Sequence, residues 1–260
     1  MAIIYGPVPS WRLGRSLGID LLSTKVKTCS FNCVYCQLGK TVNSLIERKE
    51  FVPLSRLVLE LESLKTIAAD YATFSGVGEP TLASNLGQAI RLVKTALELP
   101  VAVLTNSSLM IRKDVRKELA QADIVVAKLD ASNEKLFRVI NKPAIGCSLN
   151  EIIRSIRKFR SEFSGKLALQ MMFIEANKGY ASEMARIAEQ LSPDEVELNT
   201  PLRPCAVKSL TPEDINAIRF AFSKVKNVVT VFEASRPEVA ALNIEETRRR
   251  RPDTNRLMSN

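Results

Sequence analysis

Short apolar runs alternate with amphipathic stretches along most of the chain. The apolar runs are rich in Val, Ile, Leu, Phe and Thr, which is typical of strands buried in a parallel sheet. They predict six strands, at residues 17–22, 71–75, 101–105, 124–129, 167–173 and 196–199. The stretches between them repeat apolar residues at helical spacing. They predict helices at residues 54–65, 86–97, 112–121, 149–159 and 181–191.

This alternation of strands and helices predicts an α/β fold. Each strand–helix–strand unit forms a right-handed crossover, and repeated units build a parallel sheet. The units fit a partial (β/α)6 barrel and also an open doubly wound sheet, and the periodicity leaves both open. The pattern changes after Thr200, which divides the chain into a core at 1–204 and a small C-terminal extension at 205–260. The extension is predicted to hold a helix at 211–223, a strand at 228–232, a last helix and a basic tail that frays.

Composition narrows the possible chemistry. The 260 residues include 37 Lys and Arg, 28 Asp and Glu, and no His. Without histidine, the chain cannot build a Ser-His-Asp or Cys-His triad, a histidine zinc site or a facial-triad iron site. Reactivity must come from Cys, carboxylates, Lys, Tyr or a cofactor. The net charge of +9 favours a polyanionic partner without naming one.

The cysteines and the N-terminus predict a cytoplasmic protein. The first residues lack a basic region followed by a long apolar one, and no apolar stretch is long enough to span a bilayer. Three of the five Cys crowd within eight residues, which in a reducing compartment indicates metal binding rather than disulfides.

These three cysteines, Cys29, Cys33 and Cys36, have the spacing C-x3-C-x2-C on a loop that follows the first predicted strand. Active sites of α/β folds lie at the carboxyl ends of strands. Three thiolates can bind three irons of a [4Fe–4S] cube and leave the fourth iron open to a ligand. The alternative is a zinc site with Cys147 or Cys205 as fourth ligand, although closed zinc sites usually pair two C-x2-C knuckles.

The loop resembles the signature of the radical S-adenosylmethionine (SAM) superfamily, C-x3-C-x-aromatic-C, with Tyr35 at the aromatic position. The resemblance implies a partial (β/α)6 TIM-type barrel in which Cys29, Cys33 and Cys36 hold a [4Fe–4S] cluster. It implies that SAM chelates the open iron and that the reduced cluster cleaves SAM to a 5′-deoxyadenosyl radical, which abstracts hydrogen from a substrate. Tyr35 would pack near the adenine, and an external electron donor of the flavodoxin or ferredoxin type would supply the electron.

A second motif follows the second predicted strand. Gly76, Gly78, Glu79 and Pro80 are similar to the family's Gly-Gly-Glu-Pro motif with Val77 inserted. Glycines allow a close backbone approach to a ligand. The resemblance implies that this backbone binds the SAM amino group with help from Glu79. A plain turn is the alternative.

Polar residues also mark the ends of the later strands. Thr105, Asn106 and Ser107 are candidates for contacts with SAM, or they cap the next helix. Lys128 and Asp130 alternate with apolar residues and point into the barrel to bind SAM or substrate, or they pair with each other.

Fewer sequence features point to the residues that contact the substrate. Gln170 faces the substrate or lies on the outer face of its strand under a helix. Asn199 and Arg203 contact SAM or substrate, or they belong to a turn between prolines.

The opening segment, YGPVPSWRLGRSLG, is similar to a radical SAM subgroup grouped with the wyosine-base synthases that modify tRNA, with Trp11 replacing the usual first Arg. Arg12 and Arg15 of this segment are candidate substrate contacts. Wyosine-base synthases carry an additional cluster with its own Cys set. This chain retains only Cys147 and Cys205 outside the loop, too few for three further ligands.

Three function hypotheses follow. The first is a radical SAM enzyme acting on a nucleic acid, with a tRNA base as substrate. The second is a radical SAM activase or maturase acting on a protein or peptide. The third is a zinc-stabilised nucleic-acid-binding module without catalysis. The arginines at 248–251 could contact phosphates, although a solvated terminal helix is the more common meaning of such a run.

Overall fold

The predicted strands form one curled sheet whose carboxyl ends gather around a cavity. The computed structural model describes residues 1–64, 67–233 and 236–252. The strands are β1 (Ile4–Ser10), β2 (Gly14–Ile19), β3 (Thr28–Cys29), β4 (Asn43–Ser44), β5 (Tyr71–Phe74), β6 (Val101–Thr105), β7 (Ile124–Lys128), β8 (Lys166–Met172), β9 (Glu195–Asn199) and β10 (Val228–Thr230). The helices are α1 (Leu54–Glu62), α2 (Leu86–Leu97), α3 (Lys113–Leu119), α4 (Glu134–Ile140), α5 (Leu149–Glu162), α6 (Ala181–Leu191), α7 (Pro212–Ala221) and α8 (Ile244–Arg250).

The main sheet has the order β1-β2-β5-β6-β7-β8-β9-β10, and β3 pairs with β4 in a separate small sheet. All neighbours from β2 to β10 are parallel, and β1 joins the edge antiparallel to β2. Residues of β1 and residues that follow β9 and β10 line the same cavity, so the two edges of the sheet curl toward each other. The curl confirms the partial barrel and excludes the flat doubly wound sheet.

The helices cover the outer face of the sheet with apolar stripes. In α2, Leu86, Ala89, Ile90 and Val93 are buried at helical spacing, and α5 repeats the pattern. This burial supplies the driving force that holds each helix on the sheet, at about 25 cal/mol per Å² of apolar surface. Within the described ranges, no helix is long and apolar enough to cross a membrane.

Strands β1, β3 and β4 and helix α4 were absent from the predicted set. Strand β1 contains Gly6, Pro7 and Pro9, residues that favour turns, and an edge strand tolerates them because it needs fewer ladder donors. Helix α4 is short; it is preceded by the capping residue Asn133, whose side chain accepts a hydrogen bond from Leu136 N, and followed by Asn141.

The first predicted strand is displaced. It was expected at 17–22, but β2 ends at Ile19 because the Asp20 carboxylate accepts hydrogen bonds from the backbone N–H groups of Leu22 and Ser23 and turns the chain. The predicted end of the first helix at Lys65 and the tail at 253–260 lie outside the described residues.

The C-terminal arginine run is ordered as far as Arg251, so the prediction that this segment frays is wrong for residues 248–251. Helix α8 packs on β1, and Arg250 is buried there with 2% of its surface exposed. Arg250 Nε donates to Asp20 Oδ2 at 2.8 Å, and its guanidinium also reaches the Ala2 carbonyl and the Glu246 carboxylate. The positive charge of Arg250 is therefore compensated by the carboxylates of Asp20 and Glu246 and not by solvent.

Candidate active site

The three cysteines lie on one tight loop that starts at the end of β3. Cys36 N donates to the Cys33 carbonyl at 3.2 Å, which closes the turn between the second and third thiol. All three side chains are free thiols. Asn106 Nδ2 lies 3.5 Å from Cys29 Sγ, and Asn141 Nδ2 lies 3.5 Å from Cys33 Sγ, so each of these sulfurs has an amide donor.

Burial raises the pKa of Cys29 to about 12, with a further contribution from the nearby Glu79 carboxylate. Burial also raises the pKa of Cys33, and the charge of Asp130 adds to it. Such thiols keep their protons at neutral pH unless a metal replaces them, since metal binding requires the thiolate. Cys29 and Cys33 are free thiols, and each has an amide donor 3.5 Å from its sulfur. This arrangement fits the thiolate ligands of an iron–sulfur cluster, in which hydrogen bonds to sulfur are a usual feature.

No group of three or more Cys, Asp or Glu side chains in the described ranges is arranged to hold a single metal ion. Cysteines that hold a cube bind different irons and need not converge on one point, whereas a zinc ion needs four ligands around one centre. Cys205 is engaged elsewhere, with Sγ donating to the Val207 carbonyl at 3.1 Å. The described part of the chain therefore offers no four-ligand zinc site that includes Cys147 or Cys205.

The Gly-Val-Gly-Glu-Pro segment packs directly on the start of the cysteine loop. Thr28 N donates to the Val77 carbonyl at 3.0 Å, and Glu79 N donates to the Thr28 carbonyl at 3.2 Å. A Cβ at Gly78 would lie 1.6 Å from Thr28 O, and one at Gly76 (φ +137°) would lie 2.3 Å from Asp20 Cγ. The close approach that requires these glycines is therefore to protein, while both residues still line the cavity.

We expect Gly78→Ala to lower the free energy of unfolding by about 2–3 kcal/mol, because the new methyl group must displace the Thr28 backbone. Gly179→Ala is the matched control, since a Cβ there meets nothing within 4 Å. Urea unfolding of both variants measures the difference. Equal losses in the two variants would show that the contact with Thr28 is unimportant.

Glu79 connects the ends of β5 and β6. Its carboxylate accepts from Thr81 N, Thr81 Oγ1, Thr105 Oγ1 and Asn106 N at 2.6–3.1 Å. Burial raises its pKa, and these donors oppose the rise. Pro80 starts a 3-10 turn directly after it. Glu79 is thus held by protein donors and positions the segment that carries Asn106.

The polar group after β6 is part of the same network and does not cap a helix, since α3 begins only at Lys113. Asn106 Nδ2 also donates to Ser30 Oγ at 2.9 Å. Ser107 has a left-handed backbone (φ +70°), and its hydroxyl donates to the Lys128 carbonyl at 3.0 Å. These contacts tie the cysteine loop to the ends of β6 and β7.

Tyr35, Lys128 and Asp130 meet on the other side of the loop. The Tyr35 hydroxyl donates to Asp130 Oδ2, and Asp130 also accepts from Asn141 Nδ2 at 2.7 Å and Met172 N at 2.9 Å. Lys128 Nζ lies 4.5 Å from the Tyr35 ring centroid. Within the described residues no ion pair joins Lys128 and Asp130: Lys128 lines the cavity, and Asp130 is buried behind the tyrosine.

Burial raises the pKa of Tyr35 well above its usual value, with Asp130 adding to it, so the hydroxyl stays protonated as a donor. We expect Tyr35→Phe to destabilise the fold by about 1–3 kcal/mol, because the buried Asp130 loses one of its donors. Tyr180→Phe is the control, on a half-exposed tyrosine outside this network. Urea unfolding of the two variants is the measurement, and a Tyr35→Phe curve that overlays wild type would contradict the expectation.

A cavity of 390 Å³ opens beside this network, inside the curl of the sheet. Its lining includes Cys36, a predicted cluster ligand, and eight of the fifteen residues that the sequence predicts for SAM or substrate: Tyr35, Gly76, Gly78, Lys128, Asn199, Arg12, Gln170 and Arg203. Gln170 thus faces inward, where its Nε2 donates to the buried Glu197 at 3.1 Å. Arg15 lies apart at the amino end of β2, paired with Asp70 at 2.6 Å.

Several residues of the site were missed. Asn141 bridges Cys33 and Asp130, but it follows the unpredicted helix α4 and no local motif marks it. Arg236, Arg250 and Arg251 line the cavity from segments far along the chain. The arginine run was the available signal for two of these residues, and a solvated helix was the more common interpretation of it.

The structure combines a partial barrel, a three-cysteine loop and an adjoining cavity. Comparison with known proteins identifies the class of enzymes to which this combination belongs. The model of the radical SAM superfamily matches residues 24–188. The chain belongs to the radical SAM superfamily. It is accordingly an enzyme, and its membership implies SAM and a [4Fe–4S] cluster as cofactors.

The chain is similar to proteins whose names carry no activity. A UPF0026 protein of Methanocaldococcus jannaschii is 39% identical over 225 residues, covering 84% of this chain and 69% of that protein. A UPF0026 protein of Synechocystis sp. is 40% identical over 202 residues, covering 77% of this chain and 76% of that protein.

Among solved structures, SuiB of Streptococcus suis bound to S-adenosylmethionine superposes with a TM-score of 0.59 at 15% identity. The match covers 79% of this chain and 48% of SuiB. At this identity the likeness is one of fold alone.

Proposed function

We propose that Cys29, Cys33 and Cys36 hold a [4Fe–4S] cluster and that SAM binds beside them in the cavity. The observation that carries the proposal is that Cys36 lines the cavity together with Tyr35, Gly76 and Gly78. When bound and reduced, the cluster would supply one electron to the sulfonium of SAM, and breakage of the C5′–S bond would give methionine and a 5′-deoxyadenosyl radical able to take a hydrogen atom from a substrate. An external donor of the flavodoxin or ferredoxin type is proposed to deliver this electron.

The predicted SAM residues then divide by position. Those on the cavity wall are proposed to bind SAM: Tyr35, Gly76, Gly78, Lys128 and Asn199. Those held within the surrounding network are proposed to position the loop: Glu79, Pro80, Thr105, Asn106, Ser107 and Asp130. The second group fixes the thiols and the cavity wall relative to each other, as a reaction that depends on positioning a cofactor requires.

Anaerobic reconstitution with iron and sulfide tests this proposal. The protein should become brown, and with dithionite and SAM it should form 5′-deoxyadenosine. Metal analysis of the same sample distinguishes a cluster from zinc. Colourless protein that contains zinc and forms no 5′-deoxyadenosine would favour the non-catalytic module instead.

For the substrate we propose a tRNA base, which the basic composition and the resemblance of the opening segment support. A protein or peptide substrate, as for an activase, is the alternative, and the wyosine-like subgroup itself stays a prediction. Filter binding of tRNA at low salt separates the two. If the protein binds no tRNA even at low salt, tRNA is not its substrate.

A further inference from the structure

All the charged side chains that line the cavity, among the described residues, are positively charged. In that part of the chain the lining includes six cationic side chains and no carboxylate. The cations are Arg12, Lys128, Arg203, Arg236, Arg250 and Arg251. Cations at such density in a partly closed cavity create a strong positive potential there.

Four of these arginines, called here the arginine group, come from separate parts of the chain. Arg12 lies in the turn between β1 and β2, Arg203 follows β9, Arg236 follows β10, and Arg251 follows α8. Arginines that converge from four segments are a product of the tertiary fold and not of local sequence.

Carboxylates of the described residues pair with two cations of the lining. Arg250 is paired with Asp20 and Glu246, and Arg12 lies 3.5 Å from Glu197. Arg12 Nε is buried and has no hydrogen-bond partner among the described residues. Burial, followed by the like charges of Arg203, Arg12 and Arg236, lowers the pKa of Arg251 to about 10. The cavity therefore holds positive charge that an anionic ligand would stabilise.

SAM, one of the two proposed cofactors, does not account for the charge of the arginine group. The cations that act on the buried thiols are Lys27 for Cys29 and Lys128 for Cys33, not the arginine group. SAM carries a sulfonium and an ammonium against a single carboxylate, so it adds positive charge to the cavity.

We propose that the arginine group binds a phosphate group of the substrate inside the cavity. The inference rests on the proposed function, since it assumes that the substrate shares this cavity with SAM. Guanidinium groups bind phosphate through paired N–H···O bonds, and several of them can share the oxygens of one phosphate. The phosphate could belong to a free nucleotide or to a nucleotide of tRNA.

Binding to the reconstituted holoenzyme with SAM present tests the inference. The probes are guanosine, guanosine 5′-monophosphate and unfractionated tRNA, with inorganic phosphate as competitor. Wild type should bind a phosphate-bearing probe in competition with inorganic phosphate, and Arg236→Gln and Arg251→Gln should weaken that binding about tenfold. Arg157→Gln on the exposed face of α5 removes the same charge outside the cavity and should change nothing.

The two sources of phosphate give different results. Binding of the monophosphate at least about tenfold tighter than guanosine indicates a free nucleotide. If tRNA is the only probe that binds, and Arg236→Gln weakens its binding more than Arg157→Gln does, the phosphate belongs to a polynucleotide. Arg236 is exposed, so its variant should fold even if Arg251→Gln does not.

The inference is overturned if guanosine and its monophosphate bind equally and the cavity variants match Arg157→Gln with tRNA. If wild type then still forms 5′-deoxyadenosine, the proposed function stands without it. If wild type forms none, the proposed function has failed independently of what the phosphate probes show.

Discussion

Cys33→Ala should reduce the formation of 5′-deoxyadenosine from SAM to the background of the assay. Each thiolate of the loop is proposed to hold a different iron, so the loss of one leaves the cube with two protein ligands. Cys33 also receives the Asn141 amide, and its replacement removes the acceptor as well as the ligand. Reconstituted protein is assayed with dithionite under anaerobic conditions, and the visible absorbance of the cluster is recorded in parallel.

Cys205→Ala is the matched control, because it removes a thiol that bonds the Val207 carbonyl outside the loop. It should retain the cluster absorbance and the wild-type rate. Formation of 5′-deoxyadenosine by Cys33→Ala at the wild-type rate would show that the cluster assignment is wrong. Loss of the cluster in Cys205→Ala would instead indicate a fourth protein ligand.

Asp20→Asn should lower the free energy of unfolding by about 3 kcal/mol. Both partners of the Asp20–Arg250 pair have 1% of their side-chain surface exposed, so the substitution leaves a buried guanidinium with a weaker set of partners. Glu246 still compensates part of the charge, which places the effect at the low end for a broken buried pair. Urea unfolding monitored by circular dichroism gives the value.

An exposed ion pair provides the comparison for this result. Glu175 is paired with Lys178 but is 80% exposed, so Glu175→Ala should cost at most about 1 kcal/mol. The double variant Asp20→Asn/Arg250→Met removes the buried charge along with its partner and should recover part of the loss. A loss in Asp20→Asn no larger than that in Glu175→Ala would contradict the importance of the pair.

The parts of the site that lie close together in sequence could be predicted. The cysteine spacing and the Gly-Val-Gly-Glu-Pro segment are local patterns, and each implies its own place at the end of a strand. The alternation of apolar runs and helical stretches was likewise sufficient for an α/β fold with a parallel sheet, whereas the partial barrel was implied only by the resemblance of the cysteine loop. Their mutual contact, in which Gly78 packs on Thr28, is a consequence of the curled sheet that neither pattern contains.

The parts that depend on distant residues could not be predicted. Asn141 reaches a sulfur 108 positions away, and Arg250 pairs with a carboxylate 230 positions away. A buried arginine and an exposed one look the same in sequence, so only the packing of α8 on β1 distinguishes them. The roles of the polar residues after β6 were ambiguous for the same reason, since their partners lie in other loops.

The packing of α8 on β1 has a consequence for biosynthesis. Gly6 N donates to Thr247 Oγ1, a partner 241 positions later in the chain, and Leu242 N donates to the Gly6 carbonyl. During translation, β1 therefore emerges from the ribosome long before the helix that covers it. Asp20 likewise has no Arg250 to pair with until the end of the chain has been synthesised. Two of the cavity's arginines arrive with that helix, so the completed cavity, unlike the cysteine loop, is a late product of translation.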